Sequence, residues 1–114
     1  MSQMTNEPGS LPLAEAVSLP ALVAYQDGTI VSRTLAKTGG GSLTLFAFAA
    51  GQSLSEHTAP FDAIVAVLDG EMTLVIGGKT VVAKLGETVR MPAGVPHAVN
   101  APGRCKMLLT MLRA

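Results

Sequence analysis

From Thr29 onward the apolar residues fall into short runs broken by Gly, Pro, Asn and Asp, without the spacing of a long amphipathic helix. Strands are expected over residues 29–37, 42–49, 61–68, 71–76, 79–85, 88–91, 97–100 and 105–112. Asp27-Gly28, Gly39-Gly40-Gly41, Gly51, Gly86 and Pro92 mark breaks, while Asp69-Gly70 and Gly77-Gly78 are hairpin-turn pairs. Many short strands punctuated this way predict an all-β sandwich or barrel. Ahead of them, residues 1–11 read as a loose arm rich in Ser, Asn, Gly and Pro. Residues 13–23 allow one short helical turn, bounded by Pro12 and Pro20. The expected organisation is an arm over residues 1–22 and a barrel domain over 23–114.

Alternation is weak in the central strands. Ala63, Val65 and Val67 share one face, Ile64, Ala66 and Leu68 the other, and both sets are apolar. Residues 43–49 and 107–112 behave alike. One face must line the barrel interior. The other must meet a second layer, either the chain's own N-terminal segment or a partner subunit.

Composition sharpens this picture. Hydrophobic residues make up 48% of the 114 and charged residues only 14%, against about 25% charged in an average soluble domain. So little charge on a small domain points to surface covered by another chain, most simply in a two-fold homodimer. Eight basic residues balance eight acidic ones, and no basic cluster offers a footprint for nucleic acid. Tyr25, Phe46, Phe48 and Phe61 are too scattered to form a base-stacking platform. No apolar run approaches the ~20 residues that span a bilayer, and residues 1–10 lack a signal-peptide layout. Cys105, the single cysteine, excludes an internal disulfide. The expectation is a soluble, cytoplasmic protein with neither nucleic-acid nor membrane partners.

Two segments carry candidate chemistry. The first runs from Gly51 through His57, Ala59 and Ala63 to Gly70. The second runs from Gly86 through Arg90, Met91, Pro92 and Gly94 to His97. Fifteen residues separate Gly70 from Gly86. In this the chain resembles the small single-domain bacterial cupins, whose two motifs read Gly, five residues, His-x-His, three or four residues, Glu, six residues, Gly, and then Gly, five residues, Pro-x-Gly, two residues, His. The resemblance implies a double-stranded β-helix, or jelly-roll barrel, of RmlC-like type. Gly86 and Gly94 suit turns with positive φ, and Pro92 starts the bend that delivers His97 to the interior.

The departures bear on function. In metal-binding cupins three His and one Glu hold Fe, Mn, Zn, Ni or Cu. Here Ala59 stands at the second His and Ala63 at the Glu, leaving His57 and His97. Positions 57, 59 and 63 share strand parity, so all are expected to face inward. Two imidazoles alone leave most of a coordination sphere to water, so the cofactor expectation is none, or a weakly bound divalent transition metal on His57 and His97. Glu56, unless a bulge intervenes, and Asp62 have the wrong parity to complete a site, and the inward residue of Cys105 and Met107 is not readable. Met72, Met91, Met107 and Met111 read as core filling. Arg90 reads as a solvated or interface residue, with pairing to an anionic ligand the alternative.

The expected site is a pocket formed by His57, Ala59, Ala63, Val65, Met91 and His97. It suits a small, largely apolar molecule steered by two imidazoles. The alternative is a cupin enzyme of oxygenase or isomerase type working through His57 and His97 with an incomplete metal-ligand set. A His-based acid–base catalyst would need partner groups that the two motifs do not supply.

Overall fold

The computed structural model describes residues 3–7 and 9–113. Among them are ten strands: β1 (Gln3–Glu7), β2 (Thr29–Thr38), β3 (Gly41–Phe48), β4 (Ser53–His57), β5 (Phe61–Asp69), β6 (Glu71–Ile76), β7 (Lys79–Lys84), β8 (Thr88–Met91), β9 (His97–Asn100) and β10 (Cys105–Arg113). A 3-10 turn, Leu19–Leu22, has Pro20 in its first turn, where a missing N–H costs nothing. One sheet has the order β1-β2-β3-β10-β5-β8 and the other β4-β9-β6-β7. Their facing surfaces enclose the core of a jelly-roll barrel.

Eight strands fall where apolar runs and turn residues place them. The tight β5–β6 connection needs Gly70 twice over: its φ is +70°, and a Cβ there would lie 2.1 Å from the Arg104 carbonyl oxygen. Two strands differ from expectation. Residues 3–7, read as part of a loose arm, form β1, which pairs in parallel with β2 from Gln3 opposite Thr29 to Glu7 opposite Arg33. β4 also goes unsignalled. Both segments are mostly polar, so they carry no period-two pattern, and the backbone ladder to a neighbouring strand defines them instead.

The two faces of the six-stranded sheet meet different things. The inner face packs into a core around Ile30, Phe48, Val65, Val67, Met72, Leu74 and Met107. On the outer face a second apolar layer joins Val31, Leu35, Leu45 and Ala47 to Leu11, Leu19, Leu22, Val23 and Tyr25. The chain's own N-terminal segment therefore supplies cover for the outer face. Polar clasps fix it. The Leu11 N–H donates to the Leu35 carbonyl at 2.8 Å. Arg33 donates to the Gly9 and Leu22 carbonyls at 2.9 and 3.1 Å, and Lys106 Nζ to that of Pro20 at 2.7 Å. The Tyr25 hydroxyl donates to Asp69, and its ring lies beneath the cationic ends of Lys106 and Arg104, 4.9 and 5.1 Å from the ring centre.

Candidate functional site: a histidine pair in an apolar cavity

β4 and β9 run antiparallel, and their register sets His57 opposite His97. The ring centres are 4.4 Å apart with the planes at 68°. The pairing slips between Leu54 and His57. Leu54 and His57 therefore line the same cavity although they are an odd number of residues apart, which strict alternation would forbid. That slip puts His57, rather than Glu56, on the cavity's lining.

Both imidazoles are oriented from behind. His57 Nδ1 lies 2.7 Å from the Ser55 carbonyl oxygen and His97 Nδ1 3.2 Å from that of Val95. A carbonyl oxygen only accepts, so each Nδ1 carries a proton, and it is Nε2 that offers the lone pair in the neutral form of each ring. No protein partner for either Nε2 is present among the described residues. His97 is buried at 5% exposure, whereas His57, at the end of β4, is exposed.

The cavity beside them has a volume of about 230 Å³. His57, Ala59, Ala63, Met91 and His97 all line it, and Val65 does not. Val65 is fully buried one row further along β5, between Leu109 and Val89, so its side chain belongs to the packed core. Nor does one strand's parity bring positions 57, 59 and 63 together. His57 ends β4, Ala59 lies in the connection and Ala63 is on β5, so the three reach the cavity from different elements. Sequence reasoning missed Met4, Phe46, Leu54, Val99 and Leu109, whose contributions depend on which strands become neighbours. Met107 also faces the cavity, and Met111 joins it there. Cys105 is buried in the core, where loss of solvent and then the charges of Asp69 and Glu71 push its thiol up to about 12. Two more open depressions flank the β2–β3 turn, and neither is lined by His, Cys, Asp or Glu.

The second motif's turn is tied to the first motif. Gly94, at φ +76°, donates its N–H to the Ala59 carbonyl at 2.9 Å. The Ala93 N–H donates to Asp62 Oδ1 at 2.9 Å, and Asp62 Oδ2 pairs with Arg90. These partners, the Ala93 N–H foremost, hold the Asp62 carboxyl below the usual carboxylate range. Asp62 thus positions the turn that delivers His97, and Arg90 is paired within the chain. Local spacing does not flag this, because Asp62 and Arg90 are 28 residues apart.

The donor set can be weighed against the divalent metal that the two motifs imply. Ala59 and Ala63 present methyl groups where a third imidazole and a carboxylate would be needed. Among the described residues no three His, Cys, Asp or Glu gather into a metal-holding group. Asp62 and Asp69 are engaged elsewhere. The residues present do not fit the three-imidazole, one-carboxylate divalent site.

Fold and site together define a jelly-roll barrel with a histidine pair at the edge of an apolar cavity. A family profile described as a cupin domain matches residues 44–111, and the chain belongs to the cupin family. Among solved structures it is similar to a conserved protein of unknown function from Streptococcus pyogenes, at 31% identity and TM-score 0.87 over 100% of this chain and 96% of that one. A cupin superfamily protein from Desulfitobacterium hafniense matches at 28% identity and TM-score 0.86, covering 92% and 96% of the two chains. A cupin 2 conserved barrel domain protein from Leptotrichia buccalis is 41% identical at TM-score 0.79 over 82% of this chain, which spans 45% of that protein. No curated protein matches the chain.

Proposed function

We propose that the barrel binds a small, largely apolar molecule whose polar end is a hydrogen-bond donor, such as a hydroxyl or phenol. The observation that carries this reading is the pair of His57 and His97 Nε2 lone pairs beside a cavity whose other lining residues, among those described, are all apolar. Two neighbouring acceptors with no protein donor favour a ligand that supplies one. The apolar walls reward burial of its remainder, and about 230 Å³ lies below the ordinary range of roughly 300–1,000 Å³ for small-molecule sites. No catalytic role is assigned. A homodimer, formed on the part of the outer sheet face beyond the N-terminal cover, and a cytoplasmic location belong to the same proposal.

Phenol and toluene are near-isosteric probes. Binding measured by ligand-observed NMR should favour phenol, and His97→Ala should remove that preference. Equal binding of the two, or a phenol preference that survives both His57→Ala and His97→Ala, overturns the reading.

A further inference from the structure

The cavity has lost two polar groups, but it has not lost every atom able to donate to a metal. Met91, Met107 and Met111 line it alongside the two imidazoles. Two of these methionines stand in a particular place. In the sheet register Ala63 lies directly opposite Met91 on β8 and opposite Met111 on β10. Residues opposite one another share a face of the sheet, with Cβ atoms about 5 Å apart. The alanine at the carboxylate position is thus flanked on both sides by a thioether in one inward-facing row.

This exchange changes the type of ion that the donors suit. Imidazole nitrogen is borderline and thioether sulfur soft, while carboxylate oxygen is hard. An imidazole holds a metal as its neutral form, here through Nε2 with Nδ1 turned to a backbone carbonyl, so two imidazoles and two thioethers bring no negative charge to a bound ion. A divalent ion in an apolar cavity without an anionic ligand bears a large desolvation cost, and a monovalent ion a much smaller one. The Nδ1–carbonyl bonds are the outer-shell contacts that orient metal-binding imidazoles through Nε2.

We infer that His57 and His97 Nε2, with the thioethers of Met91 and Met111, form a site for a soft monovalent cation, copper(I), in place of a divalent one. This goes beyond the organic-ligand reading and does not rest on it, although the two occupants would compete for the same lone pairs. Binding involves no change of oxidation state: copper enters as Cu(I) and displaces water.

The test uses the full chain, stripped of metal and kept anaerobic, with Cu(I) delivered from a chromophoric chelator. One Cu(I) per chain should bind, far more tightly than Zn(II). Loss of an outer-shell partner costs roughly tenfold in metal affinity, so Met91→Leu or Met111→Leu should weaken Cu(I) by at least that factor. Leucine keeps the side-chain volume, and thermal unfolding checks that each variant folds. Silver(I), a redox-inert probe, is titrated into unmodified protein labelled at the methionine methyls. The Met91 and Met111 resonances should shift and that of Met72, in the packed core, should not. Failure to bind Cu(I), Zn(II) binding as tightly, or unshifted Met91 and Met111 methyls with parental affinity in both variants overturns the inference. Phenol binding measured on the same samples reports separately on the organic-ligand reading.

Discussion

Ala47 and Ala63 are both buried alanines on the six-stranded sheet, at 0% and 1% exposure, yet they are small for opposite reasons. Ala47 faces outward into the layer that the N-terminal segment closes, and leucines and valines press on it. Ala63 faces inward onto a void edged by methionines and two imidazoles. Burial alone does not distinguish a residue that is packed from one that leaves room. On the outer face small side chains admit a covering segment; on the inner face they admit a ligand.

The largest effect should come from the packed part of the inner face. Phe48→Ala removes a fully buried ring and should lower unfolding free energy by about 3–5 kcal/mol in urea titration. The contrast between the alanines comes next. Ala47→Leu should cost about 1–3 kcal/mol by overpacking, whereas Ala63→Leu grows into the void, costs far less, and abolishes phenol binding. Equal destabilisation by the two would erase the distinction. Arg33→Met removes the donor to the Gly9 and Leu22 carbonyls. It should cost about 1–2 kcal/mol and speed proteolysis within residues 9–25 while leaving the cavity's affinity unchanged.

The effect smallest near neutral pH is a pH dependence. The folded Cys105 thiol titrates at about 12 instead of the ordinary 9.0. The unfolded chain therefore releases this proton first, and folding stability falls as pH rises from about 9 towards 12. Cys105→Ala should flatten that part of the stability–pH curve. An unchanged slope would place the alkaline sensitivity elsewhere, with Tyr25, also raised by burial and its Asp69 partner, the next group to replace.

Most of the barrel was legible because its strands are apolar runs bounded by turn-forming residues. Two-sided apolarity in β3, β5 and β10 correctly signalled a second layer but not its owner, since a covering segment and a covering subunit demand the same strand composition. The His57–His97 pairing was legible through motif spacing, and Ala59, Ala63 and Met91 with it. Val65 was misplaced because parity identifies a face and not a depth along it. β1 and β4 stayed hidden because hydrogen bonding, rather than side-chain pattern, makes them strands. Asp62 was set aside because it points away from the cavity, and its work is done from behind, on the backbone of the turn before His97. The thioether row at Ala63 needed strand register, which no local pattern encodes.

Tyr25 has a practical consequence. The chain has one Tyr and no Trp, so ultraviolet emission near 300 nm comes from that single phenol. Its ring sits in the clasp on the outer face, bonded to Asp69 and overlaid by two cations, and it does not line the cavity. The protein carries its own optical gauge of whether the N-terminal cover is docked, one that is blind to what occupies the interior.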